Sequence, residues 1–199
     1  MKPAAFSFEI EDNRDYMDYT FTPEQFLAGM DMQDDRYRYN YFKRRFAYET
    51  EEITPFHREE IREFMEREWC GEKTCEECHC GCLLRVIDNL VPVFDKIRIN
   101  GVLVRVEGKM AGLCIVSCRN GLGVYQYKNA VNRIKGINEY LLRESFERYL
   151  QSADTINYTE DMGVENLRYY KEHMARLGFD KDVDWVEYKI KIPEQVDPR

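Results

Sequence analysis

Residues 97–128 carry the pattern that most constrains the fold, because apolar and polar side chains alternate there with a period of two. The stretch reads IRINGVLVRVEGKMAGLCIVSCRNGLGVYQYK, and alternation of this kind is typical of β-strands. Turn signals interrupt it at Asn100-Gly101, Glu107-Gly108-Lys109 and Arg119-Asn120-Gly121. The sequence therefore predicts three or four antiparallel strands joined by tight turns, a β-meander.

Helices are predicted ahead of the meander. Thr22 and Thr54 each precede a proline, which is the combination of N-cap and first-turn residue that starts many helices. The helix after Thr54 has one apolar stripe, formed by Ile61, Phe64, Met65 and Trp69. A further helix is predicted within LLRVIDNLVPVFDKI, residues 83–97, where Pro92 indicates a break or a kink.

Helices and strands alternate after the meander. The pattern predicts a helix over residues 136–153, a strand over 155–158, a helix over 163–177 and a last strand in WVEYKIKI, residues 185–192. Together with the meander this gives the order β-β-β-α-β-α-β. Such an order predicts an α+β fold in which helices flank a mixed sheet on both faces.

The segment DDRYRYNYFKRRFAYE, residues 34–49, mixes basic and aromatic residues. We interpret it as a helix with a solvated face rather than a nucleic-acid contact, because 37 acidic against 29 basic residues give the chain a net charge of -8. No apolar run approaches the roughly 18 residues that a membrane span needs. The acidic N-terminal stretch also lacks the apolar centre of a signal peptide, so a cytoplasmic protein without transmembrane segments is expected.

A cysteine-rich loop follows the helix that begins after Thr54. It reads CGEKTCEECHCGC, residues 70–82, and thiolates at such spacing suit a metal, with zinc favoured over an iron–sulfur cluster. The alternative is a loop of free thiols without metal, because the cluster is more compressed than a usual zinc site. The candidate metal ligands are Cys70, Cys75, Cys78, Cys80 and Cys82.

Two adjacent acids, Glu160 and Asp161, lie between a predicted strand and a predicted helix. An acid at a helix start stabilises the helix by about 0.3–1 kcal/mol, and one residue is enough for a cap. Asp161 is the candidate for the cap. Glu160 is then available to take a proton from an amine nucleophile.

The segment INYTEDMGVENLRYYK, residues 156–171, resembles the motif NREQDLGIEGLRKAK of one family, which is named for the C-terminal domain of phosphatidylglycerol lysyltransferase. The matching positions are Asn157, Asp161, Gly163, Leu167, Arg168 and Lys171. NRDYMDYTFTPEQFLAG, residues 13–29, is similar to the DRDYFDYIYS…L segment of that family. The likeness covers most of residues 8–180, and it implies the acyl-CoA N-acyltransferase (GNAT-like) fold.

The resemblance implies a transferase that moves an acyl or aminoacyl group to an amine or hydroxyl acceptor. The donor would be acyl-CoA or an aminoacyl-tRNA, which makes tRNA a candidate partner. GNAT-like enzymes bind the donor's pyrophosphate through an R/Q-x-x-G-x-G/A loop at a helix start, where free N–H groups favour an anion. The segment RIKGIN matches this loop in part, so the donor-binding candidates are Arg133, Lys135, Gly136 and Asn138.

The same resemblance makes Asn157 and Asp161 candidates for acceptor binding, and Glu160, the acid that the cap does not need, is the candidate catalytic residue. Lys171 is expected on a solvated face of its helix.

Members of this family usually carry two GNAT-like halves in tandem. Residues 1–50 are therefore interpreted as part of a first half with a connecting segment, and residues 51–199 as a GNAT-like domain that contains the cysteine-rich loop at 70–82. The family's basic run KKRNHINRF is replaced here by DDRYRYNYF, residues 34–42. Two alternatives to a transferase follow: a non-catalytic GNAT-like binding or regulatory module, and a metal-binding sensor. The sequence leaves the donor, the acceptor and the oligomeric state open.

Overall fold

The structure is a computed structural model. It describes residues 7–11, 18–70, 81–97, 99–161, 163–175 and 187–191. Its strands are β1 (Ser7–Glu11), β2 (Thr20–Phe21), β3 (Tyr48–Glu52), β4 (Ile99–Val106), β5 (Lys109–Arg119), β6 (Leu122–Ala130), β7 (Thr155–Asn157) and β8 (Glu187–Lys191). Its α-helices are α1 (Pro23–Met30), α2 (Gln33–Arg45), α3 (Arg58–Met65), α4 (Gly81–Leu90), α5 (Ile137–Ser145) and α6 (Glu165–Ala175). π-helical segments at Glu66–Cys70 and Phe146–Leu150 extend α3 and α5.

A mixed sheet with the strand order β2-β7-β6-β5-β4-β3 forms the centre of the fold. Strands β4 to β6 are antiparallel neighbours, as the meander predicts, whereas β6 and β7 run parallel. β3 pairs antiparallel with β4 and was not predicted; the helix predicted over residues 34–49 ends at Arg45 instead. That parallel pairing covers only Leu122–Val124 against Thr155–Asn157, so the rest of β6 continues without β7 beside it. β1 and β8 pair antiparallel in a separate two-stranded sheet.

Two of the three predicted turns are confirmed. Glu107 and Gly108, with φ of 53° and 75°, and Asn120 and Gly121, with φ of 51° and 79°, form the tight connections β4–β5 and β5–β6. The turn predicted at Asn100-Gly101 is wrong, because both residues lie inside β4. A Cβ on Gly101 would come within 2.8 Å of Ile53 Cδ1, so this glycine serves close packing rather than a turn.

The predicted helix starts are confirmed. Thr22 caps α1 through a capping box: its hydroxyl accepts a hydrogen bond from the Gln25 amide at 3.2 Å, and the Gln25 side chain accepts one from the Thr22 amide at 2.8 Å. Thr54 precedes a 3-10 turn, Pro55–His57, that leads into α3. Pro92 lies in the 3-10 turn that follows α4, where the break was predicted.

The core lies on both faces of the sheet. Val102–Val104 of β4 and Met110–Val116 of β5 are continuously buried, which shows that both faces of these strands are covered. α5 packs against β4, β5 and β6, and α3 packs against β5. This is the predicted α+β arrangement, and the GNAT-like fold class is confirmed.

The boundary suggested at residue 50 falls inside β3, and β2 lies in the same sheet as the meander. Residues 18–50 therefore share one core with the meander. The division into two units stays a prediction.

Candidate functional site

A cleft of about 480 Å³ opens where β6 ends and α5 begins. It lies at the end of β6 that no longer runs beside β7. Its lining is mostly polar and consists of Glu68, Lys128, Asn129, Ala130, Val131, Asn132, Arg133 and Asn138. The structure therefore brings two of the four predicted donor-binding residues, Arg133 and Asn138, to one cleft.

An ion pair joins two walls of the cleft. Arg133 Nη1 and Nη2 lie 3.1 and 3.4 Å from the carboxylate oxygens of Glu68. The guanidinium is 74% exposed, whereas the Glu68 side chain is only 13% exposed. A hydrogen bond from Arg67 and a second one from Arg133 lower the pKa of Glu68 despite its partial burial. An anionic ligand in the cleft would compete with Glu68 for Arg133.

Lys128 supplies a second cation, which sequence reasoning missed. Burial lowers the pKa of Lys128, but the neighbouring Tyr158, Cys114 and Glu139 outweigh it and raise the pKa above its ordinary value. The ammonium group therefore stays charged at neutral pH. Lys128 of β6 lies opposite buried Cys114 of β5. The sequence signal that could have identified Lys128 was a lysine at a strand position where the side chain faces inward.

The other two predicted donor-binding residues face α2. Gly136 has a φ of 87°, and a Cβ there would lie 2.0 Å from the Arg38 carbonyl oxygen. This glycine thus permits the close approach of α2 to the start of α5. Lys135 Nζ lies 4.8 and 5.2 Å from the ring centroids of Tyr37 and Tyr41. Donor binding by Gly136 and Lys135 stays a prediction.

Asp161 is fully buried, and protein groups surround its carboxylate. Tyr19 Oη donates to Oδ2 at 2.6 Å, Arg168 donates to both oxygens at 3.1 Å, and the Gly163 amide donates to Oδ1 at 3.0 Å. Burial raises the pKa of Asp161, but the hydrogen bonds from Arg168, Tyr19 and Gly163 hold it well below its usual range. The carboxylate is therefore a structural anion, and its contact with an acceptor stays a prediction.

Asn157 also makes structural contacts at the end of β7. Its Oδ1 accepts a hydrogen bond from the Thr159 amide at 2.6 Å, and its Nδ2 donates to Asp18 Oδ2 at 2.6 Å. Thr159 has a φ of 57°, which is rare for a β-branched residue. Asn157 thus helps to hold a strained turn, and acceptor binding by Asn157 stays a prediction.

The expectation that Lys171 lies on a solvated face is wrong. The residue is 3% exposed, and its Nζ donates to the carbonyl oxygens of Tyr158, Thr159 and Glu160 at 2.6, 3.2 and 2.7 Å. Burial lowers the pKa of Lys171 to about 8. Residues 157–161, here called the motif turn, are therefore folded around this ammonium group.

Glu160 stands apart within the motif turn. Its side chain is half-buried, and its carboxylate makes no hydrogen bond or ion pair with the residues that the structure describes. The surrounding motif residues fix its backbone through Lys171. Its charge acts on the nearby Lys171 ammonium group and works to raise the pKa of that lysine. The catalytic role of Glu160 stays a prediction.

A second buried acid lies between α2 and α5. Asp35 is 7% exposed, and its Oδ2 has no hydrogen-bond partner among the described residues. Glu139, 9% exposed, is paired with Arg38 at 3.2 Å. Burial, followed by the charge of Glu139, raises the pKa of Asp35 above its ordinary value of 3.8.

Asp35→Asn is expected to change the pH dependence of stability. Because the pKa of Asp35 is higher in the folded than in the unfolded protein, the protonated acid stabilises the fold. The wild-type protein therefore loses this contribution to its free energy of unfolding as pH rises through the folded-state pKa. The asparagine variant has no such loss. The free energy of unfolding of Asp35→Asn relative to wild type should therefore increase with pH above about 4. Urea titrations at several pH values measure it, with Asp34→Asn as the control for removing a charge from the first turn of α2.

The metal prediction falls outside the described part of the chain. Cys75, Cys78 and Cys80 lie at 71–80, and the side chains of Cys70 and Cys82 are likewise not described. Among the described residues, no three histidine, cysteine or acidic side chains are grouped to hold a metal ion. Along the same ranges, none of the helices combines the length and the apolar character needed to cross a membrane.

Solved structures share this fold. A conserved protein of unknown function from Bacteroides thetaiotaomicron is 25% identical, with a TM-score of 0.74 over 95% of this chain and 62% of that one. L-PGS from Bacillus licheniformis is 16% identical, with a TM-score of 0.50 over 80% and 49% of the two chains. FemX is 8% identical, with a TM-score of 0.54 over 85% and 62%. The chain thus spans less than two thirds of these relatives, and no curated protein sequence matches it.

The family resemblance is confirmed by a match that extends well beyond the motif of residues 156–171. A family model described as phosphatidylglycerol lysyltransferase, C-terminal, matches residues 3–174. That range contains the meander, the cleft and the motif turn, and it covers most of the chain. The protein therefore belongs to the phosphatidylglycerol lysyltransferase C-terminal family.

Proposed function

We propose that the protein transfers an acyl or aminoacyl group from a phosphate-bearing donor to an amine or hydroxyl acceptor. The cleft at the start of α5 carries this proposal, because it places Lys128 and Arg133 beside the first turn of a helix. Free amide groups and two cations at one helix start favour a phosphate. Membership of a family named for a lysyltransferase supports the same reaction class. Acyl-CoA and aminoacyl-tRNA both have the required chemistry.

In the proposed reaction, the acceptor's nitrogen or oxygen attacks the donor's carbonyl carbon. The new C–N or C–O bond replaces the donor's C–S or C–O bond, and the thiol or ribose hydroxyl leaves. The acceptor loses one proton to Glu160, the proposed base, and that proton passes to the departing sulfur or oxygen, so that Glu160 is regenerated as a carboxylate. Lys171 would act on this step only by holding the backbone of Glu160.

Binding of coenzyme A tests the donor site directly. Ligand at roughly 100 times its dissociation constant should stabilise the wild-type protein by about 2.7 kcal/mol. Arg133→Glu and Lys128→Met should each weaken binding at least tenfold, because each removes a cation from the cleft. Thermal unfolding with and without coenzyme A, acetyl-CoA or aminoacyl-tRNA measures the effect.

Arg119→Glu is the matched control. This exposed arginine lies at the opposite end of β5 and β6, about 26 Å along the strand from the cleft. Its reversal should leave ligand binding unchanged. If none of the three ligands stabilises the wild-type protein, the transferase proposal fails, and a non-catalytic binding or regulatory module becomes the better description.

A further inference from the structure

Glu68 lies at a position where the helix pattern favours an apolar residue. Ile61, Phe64 and Met65 form the fully buried stripe of α3, and position 68, in the π-helical segment that extends this helix, continues the stripe. The Glu68 side chain is accordingly only 13% exposed. Burial of a carboxylate costs free energy unless charged or hydrogen-bonding groups compensate for it. An acid at this position therefore needs an explanation other than packing.

Two arginines compensate for the burial of Glu68, and they differ in mobility. Arg67 Nε donates to the carboxylate at 2.8 Å, and Arg67 Nη2 donates to the backbone carbonyl oxygen of Met110 in β5 at 3.1 Å. Arg67 thus fastens Glu68 to the sheet. Arg133, by contrast, is 74% exposed and reaches Glu68 only with the end of its side chain. A rotation of the Arg133 side chain would separate the pair and leave Glu68 in place.

Glu68 competes with a ligand for Arg133, because both residues line the cleft. The two terminal nitrogens of Arg133 bind the carboxylate at 3.1 and 3.4 Å. A phosphate that takes the guanidinium group through the same two nitrogens has to displace Glu68 from them. Arg67 keeps its hydrogen bond to Glu68 in that case, so the carboxylate remains beside the bound phosphate.

The charges of the cleft suit a phosphate that carries one negative charge. The lining has two cations, Lys128 and Arg133, and one carboxylate, Glu68, so its formal net charge is +1. Hydrogen bonds from Arg67 and Arg133 lower the pKa of Glu68, so this carboxylate is ionised at neutral pH. Glu68 thus cancels the attraction of one of the two cations.

The charge of a phosphate depends on its linkage. A phosphate in a diester linkage carries one negative charge, whereas a terminal phosphate carries nearly two at pH 7, because its second pKa is about 6. With the screening of a partly exposed site, a carboxylate at about 5 Å reduces affinity by roughly a factor of ten for each additional charge on the phosphate. Terminal phosphates therefore lose more affinity through Glu68 than diesters do.

We propose that Glu68 makes the cleft selective for phosphates in diester linkage over the terminal phosphates of nucleotides and over inorganic phosphate. The inference rests on the proposed function and deepens it, because it names which phosphate-bearing ligands the donor site accepts. The diphosphate of coenzyme A and the backbone of tRNA are both diesters, so both donors satisfy the condition. ADP and ATP do not, since each ends in a terminal phosphate that carries the additional charge.

Isothermal titration with dephospho-coenzyme A and ADP tests the selectivity, because both contain adenosine diphosphate and only ADP has a terminal phosphate. Glu68→Gln keeps the size and the hydrogen-bonding capacity of the side chain and removes its charge. In this variant the affinity for ADP should increase about three- to tenfold more than the affinity for dephospho-coenzyme A.

Glu66→Gln is the matched control. Glu66 lies two positions from Glu68, pairs with Arg62 at 3.0 Å and is not among the residues that line the cleft. Its replacement removes the same charge and should leave the ratio of the two affinities unchanged. Thermal unfolding of both variants shows whether either change also alters stability.

Three outcomes decide the proposal and keep it separate from the proposed function. If Glu68→Gln changes both affinities by the same factor, Glu68 only holds its neighbours in place, and the selectivity proposal is wrong. The proposed function stands in that case, provided that Arg133→Glu removes binding of dephospho-coenzyme A. If neither ligand binds the wild-type protein or Glu68→Gln, the selectivity proposal is also overturned, and stabilisation by aminoacyl-tRNA then decides the proposed function.

Discussion

Lys171→Met is expected to lower the free energy of unfolding by about 3 kcal/mol, which is a large part of the stability of a domain of this size. Methionine fits the volume but removes the donor shared by three backbone carbonyls at 2.6–3.2 Å. The half-buried Glu160 carbonyl would lose this donor, whereas the Tyr158 and Thr159 carbonyls would keep only neutral donors, the Thr159 hydroxyl at 2.8 Å and the Tyr19 amide at 3.2 Å. Each unsatisfied buried polar group costs about 1–3 kcal/mol before relaxation.

Lys109→Met is the matched control for this change. Lys109 is exposed at the β4–β5 turn, so its replacement should alter stability by less than about 0.5 kcal/mol. Chemical denaturation followed by circular dichroism gives both values. Equal stability of Lys171→Met and wild type would show that the lysine is not needed to hold the motif turn.

Gly136→Ala is the second change with a large expected effect, at about 2–5 kcal/mol of lost stability. The added Cβ would lie 2.0 Å from the Arg38 carbonyl oxygen, a distance that only a shift of α2 can relieve. The left-handed φ of 87° adds conformational strain.

Gly108→Ala separates these two causes. Gly108 has a similar φ of 75°, but no atom lies within 4 Å of its added Cβ. Its substitution should therefore cost only the strain, about 1 kcal/mol. If both alanine variants lost the same stability, the contact between α2 and the start of α5 would not be the reason for the glycine. The comparison also shows why donor binding is better tested at Arg133 than at Gly136.

The alternating pattern of residues 97–128 was sufficient to predict the strands, because the period of two reflects burial on the sheet faces. It did not reveal that Asn100-Gly101 continues β4. An Asn-Gly pair is compatible with a turn and with a crowded strand, and only the neighbouring Ile53 side chain decides between them. The helix starts were predictable because their caps are local, as at Thr22.

The candidate site was only partly predictable. Arg133 matched a known loop pattern, but its partner Glu68 lies 65 positions earlier and on another element. Lys171 was misplaced because helical periodicity shows which residues share a face, not whether a turn from elsewhere covers that face. The family resemblance identified the residues of the motif turn, and only the structure shows that most of them hold backbone and charge inside the protein.

Tyr19 and Asp161, which are hydrogen-bonded in the folded protein, leave the ribosome at different times during synthesis. The two residues are 142 positions apart, so the N-terminal partner leaves the ribosome about 7 to 28 s before the other at synthesis rates of about 5–20 residues per second. β2 faces the same delay, since its partner β7 begins at Thr155. The meander emerges within that interval and can pair locally. The nascent protein therefore holds an open sheet edge until β7 has emerged, and that edge is a natural point of contact for chaperones.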